Sequence, residues 1–161
     1  MNIGVPTEIK NNECRVALTP SSVKSLADND HNVFVQSGAG EAIGFSDKSY
    51  AESGAVILST AKEVYENSEL IVKVKEPMPS EFKYLTNDHT LFTYLHLTGN
   101  KKQALDLINT GVTGITYETV TADDGSMSLL AYMSSIVSQI SIIVSSYHML
   151  RQNKGLGTLI G

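Results

Sequence analysis

Six short apolar runs alternate with helical patterns and turn signals along this chain, and that alternation admits few architectures. Ile3-Gly4-Val5 opens as a strand, and His31 to Gln36 alternates into a second. Ser53 to Leu58 reads as a third, Leu70 to Lys75 as a fourth, Thr90 to Leu95 as a fifth and Val112 to Tyr117 as a sixth. Strands separated by helical stretches are the signature of βαβ units, whose crossovers return the chain to a parallel neighbour. The expected fold class is therefore α/β: a doubly wound, mostly parallel sheet, followed by one long helix.

Local signals mark the joints of this pattern. Thr19 is placed to cap a helix that starts at Pro20, where a missing N–H costs nothing, and Val23, Leu26 and Ala27 give it an apolar side. Thr60-Ala61-Lys62-Glu63 is a capping-box spacing, in which hydroxyl and carboxylate satisfy each other's backbone donors. Lys101 to Asn109 reads as a helix with Ala104, Leu105 and Ile108 facing inward and Gly111 suited to end it. Ala122 to Ser126 is a turn-rich break before the long helix.

The 161 residues suffice for one compact α/β domain and not for two. A net charge of −5 argues against nucleic acid, whose binding needs clustered Lys and Arg. The single cysteine, Cys14, excludes an internal disulfide framework and fits a reducing compartment. The start, Met1-Asn2-Ile3-Gly4, has no basic and apolar leader, so cytoplasm is the expected location.

From Leu129 to Leu150 there is no Asp, Glu, Lys or Arg, a length that could span a bilayer. Ser134, Ser135, Ser138, Ser141, Ser145 and Ser146, with Gln139 and His148, weaken insertion. A helix packed on several sides is the expectation, and no membrane partner.

In open α/β sheets ligands collect outside the carboxyl ends of the strands. Arg15 lies in the loop after the first strand, Lys75 closes the fourth and His96 follows the fifth. A guanidinium can grip a carboxylate in two parallel bonds, an ammonium can polarise a carbonyl, and an imidazole can move a proton near neutral pH. Together they describe a site for a small 2-oxo or 2-amino acid. Each has a plainer reading: a surface charge for Arg15, a solvated pair with Glu76 for Lys75, a hydrogen-bonded structural imidazole for His96. His31, His89 and His148 have no partner at metal-ligand spacing, so no metal is expected. Gly38-Ala39-Gly40 begins a dinucleotide fingerprint, but Ile43 occupies the third glycine's place; Gly155-x-Gly157 fails similarly.

Three segments then carry a family resemblance. Gly4-Val5-Pro6-Thr7-Glu8-Ile9-Lys10-Asn11-Asn12-Glu13-Cys14-Arg15-Val16-Ala17-Leu18-Thr19-Pro20 resembles the opening motif of alanine dehydrogenases, which their transhydrogenase relatives share more loosely. Val72 to Pro77 and Leu91 to Leu97 are similar to two further motifs of that family, in order and at the expected separations. Gly38 to Gly40, Gly44 to Asp47 and Tyr117 to Val120 complete the set. The resemblance implies a Rossmann-like or flavodoxin-like fold and reversible oxidative deamination of L-alanine to pyruvate and ammonia, with NAD taking the hydride. It implies that Arg15 and Lys75 bind the substrate and that His96 is the acid/base residue.

On this resemblance residues 1–127 would form a substrate-binding α/β domain. Residues 128–161 would be an interdomain helix and the first residues of a dinucleotide-binding domain, because a domain seldom ends on an apolar run. NAD would be bound mainly by that further domain, and the chain would be inactive alone, in a homo-oligomer. Met133 and Ser134 match the family's later motif, so Ser134 would mark a nicotinamide contact. Tyr132, Ser135, Ser138 and Gln139 replace the family's proline, glutamate, glycine and arginine. Two other readings stay open: the NAD-side domain of a proton-translocating transhydrogenase, and a non-catalytic remnant or assembly module.

Overall fold

The computed structural model describes residues 1–158. Six strands, β1 (Asn2–Val5), β2 (Asn32–Gln36), β3 (Ala55–Leu58), β4 (Leu70–Lys75), β5 (Thr90–Tyr94) and β6 (Thr113–Thr116), form one sheet in the order β3-β2-β1-β4-β5-β6. Every neighbouring pair is parallel. Helices α1 (Pro20–Ala27), α2 (Asp47–Glu52), α3 (Ala61–Glu66) and α4 (Lys101–Asn109) make the crossovers, and α5 (Ser128–Met149) follows the last strand. This is the doubly wound α/β class expected of the alternating pattern. The chain winds outward from β1 to β3, then returns to β4 on the other side of β1. That reversal leaves a crevice at the carboxyl ends of β1 and β4.

The sequence's caps form as their chemistry dictates. Thr19 accepts the Ser22 N–H at 3.3 Å, with Pro20 in the first turn of α1. Thr60 and Glu63 complete the reciprocal capping box of α3. Gly111 ends α4 with a φ of 78°, a left-handed conformation that costs glycine little.

The core has two parts. Val5, Val33, Val35 and Ala55 meet Val23 of α1 and Tyr50 of α2. Ile71 and Leu91 meet Tyr65 of α3 and Leu107 of α4. Tyr50 accounts for α2, which the periodic pattern does not announce: six residues suffice because the buried ring also donates its hydroxyl to Leu18 O at 2.8 Å.

Two expectations need correction. In α4 the inward residue is Leu107, beside a partly buried Ala104, while Leu105 and Ile108 are exposed. Gln103 explains the rotation: its side chain donates to Pro77 O at 2.9 Å and its N–H to the Asn100 cap at 3.1 Å, which turns the Gln103–Leu107 side inward. In α5 no residue is buried, against the expectation of packing on several sides, although the helix is long and apolar enough to cross a membrane. Burial needs a second layer. Among the described residues, the compact unit to which α5 belongs, Glu118–Gly161, offers only short segments around it, the other unit being Met1–Tyr117. Of the apolar run expected over Gly155 to Gly161, the residues from 159 onward lie outside the described residues.

Gly4 shows how closely the layers approach. A Cβ there would stand 2.4 Å from Ser68 Oγ and 2.9 Å from Val64 Cγ1. Gly4→Ala should therefore destabilise the fold by about 1–3 kcal/mol, the usual cost of overpacking a filled core. Urea unfolding would measure it, and Gly4→Ala with Ser68→Gly should recover part of the loss.

Candidate functional site

The 14 residues between β1 and α1, residues 6–19, cross the carboxyl edge of the sheet and carry the first charged group. Arg15 is fixed there by Glu13, which accepts from its Nε at 2.8 Å, its Nη2 at 2.6 Å and its backbone N–H at 3.0 Å. This two-pronged grip sets the plane of the guanidinium. The bonds from Arg15 hold the Glu13 carboxyl below its ordinary value of 4.5, the Lys75 charge acting the same way. Glu13 in turn keeps Arg15 firmly charged, and Tyr94 and Glu8 lie close enough to add to that.

Lys75 ends β4 and is the sheet partner of Tyr94 on β5. His96 follows two residues later with φ 45° and ψ 39°. A left-handed conformation is uncommon outside glycine, though histidine adopts it more readily than most residues, and it costs of order 1–3 kcal/mol, a strain that recurs where a side chain must be aimed. Its ring stacks on Tyr94, with centroids 6.2 Å apart and planes 14° apart. Tyr117 closes against the same ring edge-on at 4.8 Å and against Phe92 at 4.3 Å. Arg15, Lys75 and His96 are thus gathered around Glu13 and Tyr94 at one sheet edge. Beside them lies a cavity of about 350 Å³ whose lining includes Lys10, Glu76, His96, Asn100 and Gln103. Lys10 and Glu76, both in that lining, are ion-paired.

Beneath this edge is a buried charge cluster that the motif reading does not reach. Lys73, 1% exposed, lies 3.2 Å from Glu8 and 3.1 Å from Glu81. Glu81 also accepts the Tyr65 hydroxyl at 3.0 Å and the Met78 N–H at 2.7 Å. Burial raises the Glu8 carboxyl above 4.5, against the pull of Lys73 and of the Val74 N–H. The sequence does contain one signal for it. A lysine inside the otherwise apolar run LIVKVK of a doubly covered strand must find a carboxylate. Which carboxylate is a matter of tertiary structure.

Ser134 belongs to the other compact unit. It is exposed on α5, and its carbonyl accepts the Ser138 hydroxyl at 2.8 Å. The glycine-rich turn after β2 does not fit a pyrophosphate. Asp47 takes the Gly38 N–H at 2.8 Å and the Ser37 hydroxyl at 2.6 Å, putting a carboxylate where a phosphate would need donors.

The Glu13–Arg15 pair predicts a pH dependence. A carboxyl with a depressed folded value stabilises the fold above its unfolded value, near 4.5, and loses that contribution as pH falls through the lower folded value. The stability difference between wild type and Glu13→Gln should be constant at neutral pH and shrink below pH 4.5, as read from urea titrations at a series of pH values.

Several known proteins are similar to this chain along its whole length. An alanine dehydrogenase from Mycolicibacterium smegmatis is 45% identical over 161 residues, 100% of this chain and 43% of its own length. Alanine dehydrogenases from Methanococcus maripaludis and Mycobacterium tuberculosis H37Rv are 45% and 41% identical over the same shares. The chain thus spans well under half the length of these curated relatives. A solved L-alanine dehydrogenase superposes with a TM-score of 0.89 at 43% identity, over 100% of this chain and 44% of that one. A transhydrogenase from Sinorhizobium meliloti, at 24% identity and a TM-score of 0.68 over 73% of this chain and 35% of its own, shares the fold. The family model for the alanine dehydrogenase/PNT N-terminal domain matches residues 4–137, and the chain belongs to that family.

Proposed function

We propose that this chain is the amino-terminal, substrate-binding part of an NAD-dependent L-alanine dehydrogenase, which converts L-alanine, NAD and water to pyruvate, ammonia and NADH. The observation that carries the reading is the gathering of Arg15, Lys75 and His96 at the carboxyl edge of the sheet, beside the switch from β1 to β4. Arg15, its plane set by Glu13, binds the substrate carboxylate. Lys75 holds the 2-oxo oxygen as a compact positive charge, which favours the developing carbonyl. His96, aimed by its strained backbone and by Tyr94, exchanges the proton of the attacking water or the departing amine.

NAD accepts the substrate hydride when bound. The turn after β2 offers its pyrophosphate a carboxylate and no cradle; a further domain would hold that group, and Ser134 on α5 would supply a nicotinamide contact. Residues 1–127 are the substrate domain, and 128–161 lead into a dinucleotide-binding partner. The protein works in the cytoplasm as a homo-oligomer, with neither nucleic acid nor membrane as partner. The transhydrogenase reading is the weaker one. Its support is a shared fold at 24% identity, whereas the dehydrogenases match the full chain at 41–45%.

Titrating pyruvate into the labelled chain should move the amide signals of residues around Arg15, Lys75 and His96. Arg15→Ala should weaken binding by tenfold or more, since one charge-assisted contact is worth about 1.5–3 kcal/mol. Lys48→Ala, on the exposed side of α2, should bind as wild type. No shifts at high pyruvate, or equal losses in both variants, would sink the assignment.

A second expected outcome concerns α5. Ile136, Ile140 and Ile143 are 49%, 50% and 68% exposed, with no charged residue from Leu129 to Leu150 to keep such a surface apart from its like. Sedimentation should show self-association that Ile140→Glu with Ile143→Glu reduces. A wild-type chain that stays monomeric at high concentration would count against the oligomer.

A further inference from the structure

β4 does not run regularly to its carboxyl end. Against β5 its partners run Leu70 with Thr90, Ile71 with Leu91 and Val72 with Phe92, and then jump to Lys75 with Tyr94. Three steps along β4 oppose two along β5, so one residue is extra: a β-bulge. In a regular strand Lys73 and Lys75 would share a face, because side chains alternate. The extra residue breaks that relation. Lys75 stands with Val72 on the side of Phe92 and Tyr94, while Lys73 stays with the cluster of Ile71 and Tyr65, pairing Glu81, which bonds the Tyr65 hydroxyl.

The other edge of β4 lacks a strand at this point, for β1 pairs only with Leu70 and Ile71. Glu8 fills the gap. Its Oε1 accepts the Val74 N–H at 2.6 Å and, more loosely, the Lys75 N–H at 3.4 Å, while its Oε2 accepts from Lys73 Nζ at 3.2 Å. Successive N–H groups of an extended strand point to opposite edges, so two of them meeting at one oxygen require the bulged backbone. A carboxylate suits the place, since its two oxygens serve several donors at once and accept more strongly than a neutral carbonyl.

We propose that Glu8 is a positioning residue. Its carboxylate stands in for the missing strand partner, holds the bulge, and thereby turns Lys75 onto the Tyr94–His96 side of the site. The functional consequence rests on the reading above, in which Lys75 meets the substrate; the hold on the backbone does not. Glu8 touches no substrate in this scheme and acts through the main chain of Val74 and Lys75.

Two conservative variants separate reach from charge. Glu8→Gln keeps an acceptor at Oε1 and removes the charge opposite Lys73. Glu8→Asp keeps the charge and withdraws the oxygen by one methylene. Amide hydrogen exchange at Val74 and Lys75, followed by NMR on the full chain, should stay near wild type in Glu8→Gln and quicken by about tenfold in Glu8→Asp, the loss of one good hydrogen bond. Pyruvate affinity should follow the same order, with Glu8→Asp weakened by several-fold while its melting temperature stays closer to wild type than that of Glu8→Gln. The reverse order of exchange, fast in Glu8→Gln and slow in Glu8→Asp, would reduce Glu8 to a counter-ion for Lys73 and overturn the proposal. So would unchanged exchange in both. Failure of the wild type to bind pyruvate would defeat the substrate reading and leave the exchange result to decide the role of Glu8.

Discussion

An ammonium with 1% of its surface exposed is tolerable only when oxygens replace the water it has lost, and at Lys73 those oxygens come from Glu8 and Glu81. Removing either carboxylate would leave a buried charge short of partners, a far larger penalty than the net worth of the pairs themselves. The same two carboxylates reach further. Glu8 belongs to the segment after β1 and bonds the end of β4; Glu81 bonds Met78, in the segment after β4, and Tyr65 of α3. One desolvated lysine therefore ties together three stretches of chain at the edge where Arg15, Lys75 and His96 stand. Pairs of this kind add little stability over an apolar replacement, but they fix geometry, and geometry is what a site needs.

The cluster also has an electrostatic consequence. Two carboxylates share one ammonium, and burial lifts the Glu8 carboxyl above its ordinary value. A carboxyl raised on folding favours the folded state most fully below its unfolded value, and that advantage is lost as pH rises through the folded value. Glu13 behaves in the opposite sense, since Arg15 depresses it. The two acidic residues of one loop thus shift in opposite directions: Glu13 is the readily ionised clamp of a guanidinium, Glu8 the costlier carboxylate sealed under the sheet edge. Environment, and not residue type, separates their roles.

What was legible in the sequence follows from how local each determinant is. The strands, the Thr19 cap, the Thr60–Glu63 capping box and the Gly111 terminus are written within a few residues, and each forms where the pattern places it, with β2, β3, β5 and β6 trimmed at their ends and β1 longer by Asn2. Arg15, Lys75 and His96 could be nominated because strand ends are sequence features and because the motifs around them resemble a family. The face of α4 could not be read, since a contact from Gln103 to the carbonyl of Pro77, 26 residues away, decides it. Nor could the Glu8–Lys73 pair, 65 residues apart, or the bulge that parts Lys73 from Lys75, since nothing in LIVKVK marks an extra residue.

α5 marks the same limit from the other direction. Its composition announces a surface that water should not see, and the serines among its apolar residues do not alter that. Ser138, Ser141 and Ser146 donate to Ser134, Ser138 and Ile142 carbonyls of their own helix, so these hydroxyls ask nothing of a neighbour. A helix with these three hydroxyls satisfied internally and its aliphatic groups outward is suited to close packing against another apolar element, since small residues let a neighbouring backbone approach. Nothing among the described residues of its compact unit supplies that element. The edge that carries Arg15, Lys75 and His96 is built within residues 1–117, whereas the helix that carries Ser134 is fully determined as a helix and left undetermined in its packing. Local sequence decides the first property; only a covering layer can decide the second.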